Sequence, residues 1–221
     1  MARRKPPAPN VKKFGAPLYA SAWIDDRVAL VAGGGGKKSS GIPNRVMQAS
    51  FDSVELTEPL ASVHTDETAP QVLCAHPYGA ELLVAFSGDV AVYVVTANDA
   101  STQLAETEES DAPPPEASAP YRISPRDLDE SSGTATRVTL ATCDVKCAAF
   151  SPDGASLAVG LESGEVRLFA WPTLEPSGVR LDASHADAVN GVAFSPDGTR
   201  LLSTSSETVK DGRGPAVWNA S

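Results

Sequence analysis

The sequence predicts an all-β chain built from repeated blades, a partial β-propeller, and three observations carry that reading. Phe150, Ser151, Pro152, Asp153 and Gly154 recur as Phe194, Ser195, Pro196, Asp197 and Gly198. The spacing of 44 residues lies in the period of propeller blades. Alternating apolar residues lead into each copy, Val145, Cys147 and Ala149 before the first, Val189 and Val192 before the second, and a further short apolar run follows each. Within the repeat, Pro presets φ at the second turn position and Asp-Gly accepts tight-turn dihedrals, so each copy reads as strand, turn, strand.

Taken in order, four units are expected, near residues 15–56, 72–95, 145–170 and 189–219. The first contains the strand-like run Arg27, Val28, Ala29, Leu30, Val31 and a second around residues 45–51. In the second, His76, Pro77, Tyr78 and Gly79 make the turn, Ser87, Gly88 and Asp89 the inner turn, and Tyr93 the aromatic of the following strand. The third has its inner turn at Glu162, Ser163 and Gly164 and ends on Trp171. The fourth ends on Ala216, Val217, Trp218 and Asn219, where Trp-Asn stands close to a Trp-Asp dipeptide. Over most of residues 72–219 the chain resembles the WD-repeat propellers. That resemblance implies a structural hydrogen-bond network around His185 and Asp187, with His64, Thr65 and Asp66 as a weaker copy. It also implies a ring of seven blades, of which the chain holds about four. The expectation is an incomplete ring with an exposed edge strand.

The domain reading is a basic arm over residues 1–13, a partial propeller over 14–221, and an acidic, proline-rich loop insertion over 98–132. The arm carries Arg3, Arg4, Lys5, Lys12 and Lys13 without an acid, and the insertion carries Asp99, Glu106, Glu108, Glu109, Asp111, Glu116, Asp127, Asp129 and Glu130 against Arg122 and Arg126. Residues 207–215 stand where a short turn before Trp218 is expected.

Composition excludes several function classes. A net charge of -10 argues against a nucleic-acid partner held by phosphate neutralisation. No apolar run approaches the ~20 residues of a membrane helix, and the N-terminus has no apolar signal core. Cys74, Cys143 and Cys147 fit neither a disulfide framework nor zinc spacing. They read as small core side chains in a reducing compartment, with Cys143 and Cys147 on one strand face. Three histidines, all with structural readings, leave a poor case for acid-base catalysis.

The unusual segment is the loop after the first unit's strand: Gly33, Gly34, Gly35, Gly36, Lys37, Lys38, Ser39, Ser40, Gly41, Ile42, Pro43, Asn44. It is no Walker A loop, because Gly36-Lys37 is followed by Lys38 and Lys38-Ser39 is preceded by Lys37. No register gives the dinucleotide glycine pattern, and Pro43 with the strand after it leaves no helix for a phosphate. Glycine lets backbone carbonyls turn to one point, and Asn44 can add an oxygen or brace the loop. With no acid between residues 33 and 45, tight calcium or magnesium binding is not expected, whereas neutral carbonyls suit a monovalent cation such as potassium. Lys37 and Lys38 oppose a cation unless they face solvent, and a plain flexible connection is the competing reading.

A narrower resemblance rests on Gly15, Ala16, Pro17, Leu18 and Tyr19, then Ala22 and Trp23, then residues 30–36, then Ser40, Gly41, Ile42, Pro43, Asn44 and Arg45. These residues resemble the start of the prolactin regulatory element-binding protein family, the endoplasmic-reticulum exchange factors for the small GTPase that initiates COPII coat assembly. The resemblance implies a non-enzymatic GTPase regulator whose first-blade loop works in exchange. Asn44 is its key side chain, acting with Gly33, Gly34, Gly35, Gly36, Gly41, Ile42 and Pro43, and potassium is implied at Gly33, Gly34, Gly35, Gly36 and Asn44. It also implies a cytosol-facing domain on the endoplasmic-reticulum membrane, anchored by a C-terminal helix that is not in this sequence, with a cytosolic location as the alternative expectation. The competing functions are a non-catalytic WD-repeat scaffold assisting membrane-protein exit from the endoplasmic reticulum and an enzyme that uses nucleotide directly.

Overall fold

The computed structural model describes residues 11–51, 54–98, 119–179, 181, 185–206 and 215–220. Four antiparallel sheets follow one another along the chain. The first holds β1 (Leu18–Trp23), β2 (Val28–Gly33), β3 (Arg45–Ser50) and β4 (Ala61–His64). The second holds β5 (Val72–Ala75), β6 (Glu81–Ala85), β7 (Asp89–Ala97) and β8 (Tyr121–Pro125), with the short β9 (Val138–Thr139) paired to the start of β7. The third is β10 (Val145–Phe150), β11 (Ser156–Leu161) and β12 (Val166–Ala170), extended by a bridge between Phe169 and Pro176. The fourth is β13 (Val189–Phe194), β14 (Arg200–Ser205) and β15 (Ala216–Asn219). The first strands of the sheets, β1, β5, β10 and β13, pack one after another.

Side-chain alternation along each strand decides which neighbour a residue meets. On β6, Leu82 and Val84 join Leu30, Ala32 and Val46 between the first two blades. Leu83 and Ala85 on the opposite face join Leu157, Val159 and Leu161 between the second and third. Buried on both faces, β6 and β7 read as nearly continuous apolar runs. A third core, with Ala158, Leu168, Val189 and Leu201, lies between the last two blades. The fourth blade's other face carries the cross-strand row Ala193, Leu202 and Val217. Leu202 and Val217 are exposed there by 42% and 64%. The first blade's outward face is partly covered by its own chain, since Phe14 and Leu56 pack on Met47 and Ala49, while Trp23 stays exposed. The architecture is a partial WD-type propeller, an open arc of blades.

The insertion expected over 98–132 gives way to a strand before its end. β8 pairs with β7 from Tyr93↔Pro125 to Ala97↔Tyr121. Tyr121 and Ile123 turn inward against the core between the first two blades, a two-residue alternation that the surrounding charges mask in the sequence. Residues 99–118, residues 1–10 of the basic arm and residues 207–214 lie outside the described residues. The expectation that Cys143 and Cys147 share one strand face is also corrected. Cys143 precedes β10, and a bulge between Val145 and Cys147 breaks the alternation. All three cysteines are free and half-buried, and burial pushes the Cys74 and Cys147 thiols up to about 11.

The repeated pentapeptides form matching turns. Ser151 Oγ donates to Asp153 Oδ1 at 2.5 Å and accepts the Ser156 N–H at 2.9 Å. Ser195 repeats this with Asp197 and Arg200 at 2.5 and 2.9 Å. Gly154 and Gly198 both take φ 73°, the left-handed region that favours glycine. His185 is buried, as expected of a network residue. Its Nε2 lies 2.7 Å from Ser203 Oγ, which also accepts the Trp218 indole N–H at 2.8 Å. Ser203→Ala removes the oxygen that the two rings share and is expected to cost about 1–3 kcal/mol, read from the urea unfolding midpoint.

In the second turn, the Ser195 hydroxyl, then the Thr199 N–H and hydroxyl, hold the Asp197 carboxyl at about 2. A depressed carboxylate favours the fold above the ordinary carboxylate range, and its contribution fades as pH falls through about 2. NMR titration of Asp197 is expected to show this depressed midpoint, and Ser195→Ala to move it back towards the usual carboxylate value.

Candidate functional site

The glycine loop joins β2 to β3 across the top of the first blade, and its shape is set by one buried amide. Asn44 is only 4% exposed. Its Nδ2 donates to the Gly36 carbonyl at 2.6 Å and to the Asp66 carbonyl at 3.0 Å, while its Oδ1 accepts the Gly36 N–H at 2.9 Å. Both amide hydrogens are therefore used. The Asn44 backbone carbonyl also accepts the Thr65 N–H at 3.0 Å, so one residue ties the loop to the segment that follows β4.

The glycines answer two different demands. Any Cβ on Gly34 would fall 2.2 Å from Asn44 Oδ1, so the brace closes only over a bare backbone. Gly36 faces open space but takes φ 75°, a conformation that other L-residues adopt at a cost of roughly 1–2 kcal/mol. The Gly35 N–H bonds the Ile42 carbonyl at 3.3 Å, and the Tyr19 hydroxyl bonds the Gly34 carbonyl at 3.2 Å. Between these contacts a single 3-10 turn, Lys38–Ser40, forms the crest. Lys37, Ser39, Ser40, Gly41 and Pro43 are exposed. The loop is a braced platform rather than a slack connection.

The expected residues thus divide by role: Asn44 and Gly33 to Gly35 form the base, and Gly41 to Pro43 the rim. Beside them opens a cavity of about 820 Å³, lined by Gly36, Gly41, Ile42, Pro43 and Asn44 on one side. His64, Asp66, Glu67 and Thr68 form the second wall, and Ser132, Thr134 and Arg137 the third. Sequence reasoning read His64 and Asp66 as network residues and assigned neither of these last two walls to the site, because a contact between the first and second blades leaves no local pattern. His64 is exposed on the cavity rim, so it does not repeat the buried role of His185. Asp66 takes φ 66°, an uncommon conformation for a residue with a side chain. Burial and then the Asp66 charge push the Tyr93 phenol up to about 12.

The donor set bears on the expected cation. Gly34 O, Gly36 O and Asn44 Oδ1 each accept one hydrogen bond, which leaves each oxygen a second lone pair. Neutral oxygens of this kind suit a weakly held monovalent ion and not calcium. The brace itself needs no ion, since Asn44 closes the loop through protein groups alone. Among the described residues, no group of His, Cys, Asp or Glu has the arrangement to hold a metal.

The fold and loop define a WD-repeat blade scaffold that presents a braced polar loop. Residues 135–169 and 179–210 match the WD domain, G-beta repeat family. Over 60 residues the chain is 47% identical to WD repeat-containing protein 90 of Mus musculus, a stretch that makes up 27% of this chain and 3% of that protein. Among solved structures, Sqt1 from Chaetomium thermophilum matches 93% of this chain and 43% of its own, with a TM-score of 0.60 at 17% identity. The same protein bound to the N-terminus of the ribosomal protein L10 matches with a TM-score of 0.60, covering 46% of its own length. At that identity the likeness shows the fold alone. The chain spans less than half the length of these proteins.

Asn44→Asp keeps the size of the brace but replaces a double donor with a carboxylate facing the Gly36 and Asp66 carbonyls. The loop is expected to open, raising amide hydrogen exchange of Gly36 by roughly ten- to a hundredfold, the loss of about 1–3 kcal/mol of local stability. Mass spectrometry of peptides covering residues 33–44 checks this.

Proposed function

We propose that this chain belongs to a guanine-nucleotide exchange factor for the small GTPase that initiates COPII vesicle budding, with residues 33–44 as the exchange loop. The observation that carries the reading is the Asn44 brace, which makes a protruding glycine loop rigid on an all-β scaffold. The sequence resemblance through residues 15–45 supports the choice of partner. On the same reading the protein works on the cytosolic face of the endoplasmic-reticulum membrane.

Exchange requires no covalent step. A partner that binds the nucleotide-free GTPase more tightly than the loaded form must lower nucleotide affinity by the same factor. The loop crest has the means for this: backbone amides, the Ser39 hydroxyl and the Lys37 ammonium, all polar groups able to compete for contacts that the nucleotide makes with switch segments. Asn44 contributes by fixing the crest before contact, so that little ordering entropy is lost on binding. Where potassium binds, the backbone oxygens of Gly33, Gly34, Gly35 and Gly36 and Asn44 Oδ1 are the candidate ligands, and its charge would stiffen the loop further.

Release of fluorescent GDP from the purified GTPase is the test. The chain is expected to accelerate release, and Asn44→Ala to reduce the acceleration by at least roughly tenfold. Replacing potassium by sodium reads the ion separately: slower release supports a cation at the loop, and an unchanged rate removes the ion while leaving the loop's role intact. Tight GTPase binding with no acceleration would favour the non-catalytic scaffold.

A further inference from the structure

Arg137 lies between β8 and β9 of the second blade, outside every motif that marks the glycine loop, yet it reaches the segment on which the loop rests. Its Nη1 donates to Thr68 Oγ1 at 2.5 Å and its Nη2 to the Thr65 carbonyl at 3.0 Å. Its guanidinium carbon stands 3.6 Å from the centroid of the Phe86 ring, and Phe86 is almost wholly buried. A planar fork on an aromatic face has little freedom left, and a lysine ammonium does not reproduce two diverging donors.

The segment held in this way is the one that Asn44 uses. Thr65 gives its N–H to the Asn44 carbonyl, Asp66 gives its carbonyl to Asn44 Nδ2, and Asn44 closes on both backbone groups of Gly36. Asp66 sits at φ 66°, so the turn is in a conformation that the surroundings must maintain. It is gripped from one side by the first blade through Asn44 and from the other by the second blade through Arg137.

We propose that Arg137 is a positioning residue for the glycine loop, the link through which the second blade fixes the first blade's Asn44 brace. The proposal rests on the exchange-loop reading for its functional consequence, but the link itself is structural and is read without the GTPase. Arg137 does not line the crest; it acts through Thr65, Thr68 and Asn44. A first blade lacking the second would keep the loop sequence and lose the Arg137 grip on Thr65 and Thr68.

The test uses the full chain and three variants, Arg137→Met, Arg137→Lys and Trp171→Phe. The last removes the indole N–H that Trp171 gives Glu81 at 2.8 Å and so perturbs the junction of the second and third blades rather than that of the first and second. Hydrogen exchange is followed in peptides covering residues 33–44 and 61–68, with peptides covering 156–170 as the reference. Arg137→Met is expected to raise exchange in the first two regions by roughly tenfold while the reference is unchanged, with Arg137→Lys restoring little and Trp171→Phe leaving the loop protected. GDP release is expected to fall in maximal rate for Arg137→Met, with the GTPase concentration at half-maximum nearly constant. Loop protection equal to wild type in Arg137→Met overturns the proposal. So does exchange that rises equally in all regions, which is general loosening. A deprotected loop in a chain that never accelerates GDP release sustains the positioning role and overturns the exchange-factor reading instead.

Discussion

The second and third blades of this protein each have two apolar faces, and each face is covered by a neighbouring blade. From that constraint follow the pairing of Leu82 and Val84 with the first blade, the pairing of Leu83 and Ala85 with the third, and the nearly continuous apolar character of the strands between. Hydrophobic burial across these junctions has no direction of its own. It presses sheets together without choosing their angle or the placement of the loops at their edges.

Polar groups at the junctions supply that choice. Gln48, fully buried on β3, clamps the backbone of Tyr121 on β8 with its amide, Nε2 to the carbonyl at 3.1 Å and Oε1 from the N–H at 3.2 Å. The Tyr121 hydroxyl then donates to Asp25 at the tip of the β1–β2 turn. Between the second and third blades, the Trp171 indole reaches Glu81 while His76 packs against Phe150 and Trp171. In the fourth blade Ser203 joins His185 to Trp218. The Asn44 brace belongs to the same class of interaction, with a difference of purpose: it fixes a loop that faces outward. A buried amide with all its hydrogens satisfied makes a geometry unique because the alternatives leave donors without acceptors.

Much of the fold was legible in the sequence because its signals are local. The Phe-Ser-Pro-Asp-Gly turns, the alternation around them and the 44-residue spacing located the third and fourth blades directly, and the second followed from the same layout. The strand β8 was hidden because its inward residues, Tyr121 and Ile123, sit between arginines and beside an acidic stretch, and its partner β7 is separated from it by the long insertion. Within the site, the glycines and Asn44 stood out as a composition anomaly. The walls formed by Asp66, Thr68 and Arg137 did not, since they come together only when two blades pack. Arg137 in particular looks like an ordinary strand-edge charge until its position over Phe86 is seen. A buried Gln or Asn in an apolar strand context, such as Gln48 or Asn44, is the one sequence signal that could have pointed to these junctions.

A WD-repeat scaffold becomes an exchange factor only if its loop distinguishes two states of its partner. Rigidity alone does not accomplish this, because a loop that bound loaded and empty GTPase equally would leave nucleotide affinity unchanged. The central claim is therefore a difference in affinity, and calorimetry measures it most directly by titrating this chain into the COPII GTPase loaded with GDP and, separately, stripped of nucleotide. The account predicts markedly tighter binding to the nucleotide-free form, with the difference shrinking when Asn44 is replaced by alanine. Equal affinity for the two forms would contradict it.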